Sequence, residues 1–215
     1  MKRISASKKK RQNKEMIFYV DTETTGLPRK KFLKGKSKMH YRDLQAFDEA
    51  RLVSIAWVLE AANGSKINRS YLVRPEGFEI PAVATGIHGI TTEMALANGV
   101  EFATMAVQLD EDLADTELLV AHNVEFDKAI LKSELFRRGN LEILRKLKAS
   151  RKYCTMRNAQ TLLRLAKWPR LPDLYLQLTG KTAEPAKLHS AQGDVLYCYE
   201  CYGILKERFA SVACI

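Results

Sequence analysis

The sequence predicts an α/β domain built on a mixed sheet, and three observations carry that reading. A short apolar, aromatic run, Met16-Ile17-Phe18-Tyr19-Val20, ends at an acidic residue and has the character of a central strand. Two further β-like runs, 52–60 and 67–74, are joined through the turn pair Asn63-Gly64, which makes an antiparallel meander. After Pro75 the apolar spacing becomes helical and is broken by another buried-strand run, 118–121. Strands first, then strands alternating with helices, place the chain in the α/β class.

The elements follow in order. Residues 1–15 form a polar tail expected to be flexible, and the segment 28–49 is too long and too charged for a tight turn, so it reads as a functional loop or an ordered insertion. Thr91 or Thr92 caps a short helix, and 100–113 supplies another at a spacing near 3.6. Phe126, Ile130, Leu131 and Leu135 share one face of a helix over 124–138. Thr155 caps a helix through Lys167, Pro169 and Pro172 punctuate the chain, 171–179 is a short helix, and Ser190 caps a last helix to about Phe209. There is no internal repeat.

Composition excludes several classes. With 215 residues, 46% hydrophobic and 28% charged, and only six prolines, the chain reads as one soluble globular domain. It has no run of 18 apolar residues to span a membrane. The basic start lacks the apolar stretch of a secretory signal, so its four cysteines are expected to be reduced thiols in an intracellular protein, cytoplasmic or nuclear. The net charge of +10 is uneven: residues 1–14 hold seven Lys/Arg and no acid, and residues 28–42 hold seven more and no acid. The remainder has 21 basic against 25 acidic residues, a net −4. Basic arms of this kind usually meet polyanions, because neutralising phosphates releases counterions.

Three short segments carry chemistry. In Asp21-Thr22-Glu23-Thr24-Thr25-Gly26-Leu27-Pro28, Asp21 and Glu23 lie two apart at a strand end and therefore project from one face. Paired carboxylates there repel each other, and a divalent cation with hard oxygen ligands relieves them; surface pairs of this kind are also common. Asp127 falls in the first turn of a helix after the buried strand, where the helix dipole alone already favours an acid. In His189-Ser190-Ala191-Gln192-Gly193-Asp194 the histidine precedes the last helix, free to take a proton from water, or is simply next to a cap.

In this order, DxETTGLP, HNxxFD and HxAxxD resemble the DEDDh branch of the 3′–5′ exonucleases, which includes polymerase proofreading subunits, ribonuclease T, oligoribonuclease and the three-prime repair exonucleases. The likeness runs from Met16 to about Tyr202 and includes Ile87-His88-Gly89-Ile90-Thr91. It implies a ribonuclease H-like mixed five-stranded sheet flanked by helices, with 16–215 as the exonuclease domain and 28–49 as a basic loop insertion longer than in compact members. It implies two Mg²⁺, with Mn²⁺ expected to substitute, held by Asp21, Glu23, Asp127 and Asp194, and His189 as general base. It also implies that the 3′-terminal nucleotide meets Thr22, Thr24, Gly26, Leu27, Ile87, His88, Asn123 and Phe126. The expected reaction removes nucleoside 5′-monophosphates from a free 3′ end of single-stranded or frayed nucleic acid, DNA slightly favoured over RNA.

Two other readings compete: a non-catalytic nucleic-acid-binding module, or a trimming or proofreading subunit active only in a larger complex. Clustered acids are of no use to a phosphate binder, and the 21 residues after Asp194 leave little to tether a polymerase, so an autonomous enzyme is expected. No membrane partner is expected; a homodimer or a larger nucleic-acid-processing assembly stays open. Cys198-x-x-Cys201 has zinc-like spacing without a second pair, and Trp57, Trp168, Tyr197, Tyr199 and Tyr202 read as packing residues.

Overall fold

The computed structural model describes residues 15–29, 32–33, 36–37 and 40–209. The basic tail, apart from Glu15, and much of the basic part of the insertion lie outside these residues. Strands β1 (Ile17–Thr24), β4 (Leu52–Glu60), β5 (Lys66–Leu72), β6 (Leu118–Ala121) and β7 (Arg151–Cys154) form one five-stranded sheet in the order β5-β4-β1-β6-β7. A separate ribbon joins β2 (Phe32–Leu33) to β3 (Lys36–Ser37). β4 pairs antiparallel to both β1 and β5, whereas β1, β6 and β7 are parallel, so the sheet is mixed and has the ribonuclease H-like arrangement.

Helices cover both faces: α1 (Ala82–His88), α2 (Thr92–Asn98), α3 (Phe102–Asp112), α4 (Val124–Arg137), α5 (Leu141–Ala149), α6 (Thr155–Leu162), α7 (Leu171–Thr179) and α8 (Ala191–Phe209). The alternation of β1 decides which helix packs where. Phe18 and Val20 enter a core with Phe102, Leu109, Ile130 and Leu147 from α3, α4 and α5. Ile17 and Tyr19 enter the opposite core with Leu174, Val195, Cys198 and Tyr202 from α7 and α8. Trp57 on β4 is fully buried, stacks on Phe18 at 5.7 Å and donates its indole N–H to Asp112 at 2.7 Å. Truncating it would cost about 3–5 kcal/mol as a cavity, with a carboxylate losing a donor besides.

Several expectations are corrected here. β1 runs on through Thr24, because Asp21 to Glu23 keep pairing with β4 until a register shift between Glu23 and Thr24. The second strand of the meander stops at Leu72 and the helix placed from residue 100 starts at Phe102, since Val73 and Val100 form an isolated parallel bridge instead. The sequence pattern did not reveal α1, α5 or β7. The helix from Thr155 ends at Leu162 rather than Lys167: Arg164 turns left-handed (φ 53°) and Leu165 N–H closes back onto the Gln160 carbonyl. The insertion is in part an ordered core element, with Tyr41, Ala46, Phe47 and Ala50 buried against the α4 side. Trp168 is not a packing residue; it is 55% exposed. Cys198 and Cys201 are buried in α8, and burial pushes both thiols up, that of Cys201 to about 12, against the thiolate that metal ligation requires. No helix among the described residues is long and apolar enough to cross a membrane.

Candidate active site

The site is assembled where β1 ends and α4 and α8 begin. Asp21 and Glu23 point to the α8 side of the sheet, following the alternation that buries Ile17 and Tyr19 there, and Asp194 sits in the first turn of α8. Carboxylate oxygens of Asp21, Glu23 and Asp194 all lie within 4.8 Å of one another. Asp127 stands beside this triangle from the other face. It is buried in the first turn of α4, where its Oδ1 accepts the Thr22 hydroxyl at 2.9 Å.

Electrostatics give the cluster its character. Burial pushes the Asp21 carboxyl well above the usual carboxylate range, and the charges of Asp127, Asp194 and Glu23 push it further. Glu23 is raised to about 7 by burial and then by Asp194 and Asp127. Asp194 is raised to about 6 by burial, with the charge and backbone of His189 pulling the other way. Asp127 is raised to about 7 by burial, opposed first by the Thr22 hydroxyl. Four crowded oxygen-donor carboxyls that resist ionisation together are the setting a hard divalent cation relieves, so the residues present fit Mg²⁺ or Mn²⁺.

His189 is exposed in the turn before α8 and holds a left-handed backbone (φ 57°), a conformation uncommon outside glycine. Ser190 anchors that turn, donating its hydroxyl to the Lys187 carbonyl at 2.8 Å and accepting the Gly193 N–H at 3.1 Å. Gly193 is required there, since a Cβ would stand 1.9 Å from the Lys187 carbonyl oxygen. A glycine in the first turn of a long helix, which costs about 1 kcal/mol against alanine, is the one signal in the sequence of this close contact.

The expected nucleotide-contacting residues separate into three groups. Leu27 (72% exposed), Ile87 (58% exposed) and Asn123 are open to solvent. His88 is half-buried; its Nδ1 accepts the Ile90 N–H at 3.1 Å, while its Nε2 has no hydrogen-bond partner among the described residues. Phe126 packs partly into the α4-side core. Thr24 and Gly26 shape the exit from β1: the Thr24 hydroxyl donates to the Gly26 carbonyl at 2.7 Å, and a Cβ on Gly26 would meet the Glu49 carbonyl oxygen at 2.8 Å. The Thr22 hydroxyl is taken up by Asp127. As the residue between Asp21 and Glu23 it faces the opposite side of the strand, and it is buried.

Residues with no motif signature brace this exit. Thr25 donates its hydroxyl to the Glu49 carbonyl and accepts the Arg51 N–H, both at 2.9 Å. Arg51 is in turn buried against Glu134 of α4 at 2.7 Å, and Glu134 also pairs with Arg138. On the β6 side, His122 Nε2 lies 3.0 Å from the Pro169 carbonyl and Nδ1 3.0 Å from the Thr155 hydroxyl. Burial lowers its pKa to about 4, so the ring is neutral near pH 7. A carbonyl can only accept, which puts the proton on Nε2.

The chain matches the family model for the RNase T type, described as exonuclease, over residues 18–202. No curated protein matched it. Among solved structures, E. coli exonuclease I in complex with a dT13 oligonucleotide aligns over 92% of this chain and 42% of its own, at 19% identity and a TM-score of 0.68. The zinc-bound form of the E. coli exonuclease I–ssDNA complex gives the same coverage, identity and TM-score. Exonuclease I of the moderately thermophilic Methylocaldum szegediense aligns over 90% of this chain and 41% of its own, at 19% identity and a TM-score of 0.65. At such identity the likeness is one of fold, and the chain spans about two fifths of the length of these structures.

Proposed function

Because the chain belongs to the RNase T exonuclease family, in its DEDDh branch, we propose that it is a divalent-metal-dependent 3′–5′ exonuclease that releases nucleoside 5′-monophosphates from single-stranded or frayed ends. The observation that carries the reading is the convergence of the Asp21, Glu23 and Asp194 oxygens within 4.8 Å at the end of β1. That is a place for cations; His189 next to Asp194 is exposed, and so are apolar Leu27 and Ile87. DNA is the favoured substrate, supported by the oligonucleotide complexes of E. coli exonuclease I.

Asp21, Glu23 and Asp194 would hold one Mg²⁺ or Mn²⁺, and Asp21 with Asp127 the second. Bound cations of this kind stabilise the attacking and leaving oxygens of an in-line displacement. The protein's own groups do the rest. Leu27 and Ile87 offer apolar surface to the terminal nucleoside, and Asn123 a polar contact. His189, solvent-facing and beside Asp194, removes the proton from the attacking water. Thr22 keeps Asp127 oriented from behind the sheet. The buried thiols of Cys154, Cys198 and Cys201 are free, in keeping with a reducing intracellular compartment.

The test is incubation with 5′-labelled single-stranded DNA and matched RNA, with Mg²⁺, with Mn²⁺ or with EDTA. A metal-dependent ladder shortening from the 3′ end is expected, faster on DNA. Asp21→Asn is expected to reduce cleavage by more than about a hundredfold, the scale of losing a preorganised electrostatic contact, while binding persists. Full activity in EDTA, or in Asp21→Asn, would overturn the assignment; tight binding without cleavage by the unaltered protein would make it a binding module.

A further inference from the structure

Trp168 lies in the connection between α6 and α7, and it is more than half exposed although tryptophan is the largest apolar surface a chain can offer. The Arg157 guanidinium lies over its ring at 5.5 Å. Arg157, Arg164, Lys167 and Arg170 are all exposed, and among the described residues none of the four is ion-paired with a carboxylate. The body of this protein is otherwise net acidic, so four cations without an ion pair within fourteen residues of chain that also hold an exposed indole are a local reversal of its charge.

The position of the loop matters as much as its chemistry. Strands β1, β6 and β7 are parallel, so their carboxyl ends share one edge of the sheet, and the metal-binding acids of β1 are at that edge. His122 follows the last residue of β6, the strand next to β1, at a spacing of about 5 Å. Its Nε2–H holds the Pro169 carbonyl, which pins the residue after Trp168 to this same edge. Among the described residues only two non-glycines have positive φ, His189 beside the acids and Arg164 in this loop, so the backbone is held in costly conformations at both places.

We propose that Trp168 is a stacking platform for a base of the single strand upstream of the terminal nucleotide, with Arg157, Arg164, Lys167 and Arg170 contacting its phosphates. The chemistry is that of sequence-tolerant single-strand binding, an aromatic face beside a basic track. The proposal rests on the exonuclease reading and adds to it a second, non-reacting contact outside the metal site. It tethers the strand between cleavage events and makes turnover depend on strand length.

Fluorescence isolates the platform, because the only other tryptophan, Trp57, is fully buried. An oligothymidylate of about twelve nucleotides, added in EDTA so that nothing is cleaved, is expected to quench Trp168 emission and saturate. Trp168→Ala is expected to abolish the quench and weaken binding roughly tenfold to a hundredfold, the loss of one stacked base, and Trp168→Phe to restore much of the affinity. In turnover with Mg²⁺ the loss falls on KM for the long strand rather than on kcat. Binding without any quench, or an equal loss on a dinucleotide and on the twelve-nucleotide strand, would overturn the platform while leaving the exonuclease intact. Absence of both binding and cleavage in the unaltered protein would overturn both.

Discussion

Asp21, Glu23, Asp127 and Asp194 all have folded-state pKa values above those of free carboxylates, in each case by burial first; acidic neighbours raise Asp21 and Glu23 further, the Thr22 and backbone hydrogen bonds oppose the rise of Asp127, and His189 opposes that of Asp194. A raised carboxyl favours the folded state where it is protonated, so without metal this contribution is full below about pH 4 and is lost as pH rises through about 6 to 7. A divalent cation binds the ionised form and reverses that loss. The increase in Tm on adding Mg²⁺ or Mn²⁺ to metal-free protein is therefore expected to be small at pH 5 and to grow through pH 6–7; thermal scans with metal and with EDTA across this range measure it. His122, lowered by burial to about 4, acts oppositely, costing stability as pH falls from about 6.5 towards 4. That cost is common to both scans and cancels in the difference. An increase independent of pH would mean that the metal does not bind these carboxyls. At this scale much of the site could be read from spacing: Asp21 and Glu23, two apart at a strand end, share a face whatever the rest of the fold does. The Thr22 contact could not, because its partner is 105 residues away and nothing local to either residue announces it.

At the scale of elements, the turn before α8 is the piece most exposed to a single change. Gly193 lets the Lys187 carbonyl come against the first turn of the helix, and that contact fixes where the chain carries His189. Gly193→Ala places a methyl 1.9 Å from backbone, so the 185–190 segment must move. The expected outcome is a cost of about 1–3 kcal/mol in stability, typical of overpacking, and a larger loss in kcat than in binding. Denaturant unfolding beside single-turnover rates separates the two, and wild-type kcat in this variant would show that the turn need not be held. The elements that the sequence hid share a physical cause. β7 is a four-residue edge strand reading Arg-Lys-Tyr-Cys, with only Cys154 buried, so no apolar alternation marks it. α1 buries only Ala84 and exposes Val83 and Ile87, the reverse of an amphipathic helix, so no apolar face toward the core marks it. α5 is the exception: it buries Ile143, Leu144 and Leu147 at regular helical spacing, so its pattern was present in the sequence although no helix was placed there. Trp168 misled for a related reason: composition predicts burial for an indole, and exposure is decided by which neighbours the loop is pinned to.

For the molecule as a whole, the distribution of charge sets a conflict that the chain resolves by segregation. An acidic cluster must meet a polyanion, and the body outside the two basic segments is net −4, so the body alone repels what the proposed function requires it to hold. Fourteen of the 35 basic residues are confined to residues 1–14 and 28–42, which carry no acid, and these supply the attraction that the body lacks. Each phosphate neutralised by such a cation releases counterions, and the dependence of log K on log salt measures how many take part. Deleting residues 1–14 removes seven cations, so the slope for single-stranded DNA is expected to flatten by up to about 5, with affinity falling for every sequence alike. Cleavage at saturating strand should stay at the parent rate, since the acids and His189 are untouched. A titration of labelled oligonucleotide against both proteins, in EDTA over a range of salt, reads the slope directly. An unchanged slope would show that the tail carries charge without using it, leaving the attraction to the insertion and to the cations around Trp168.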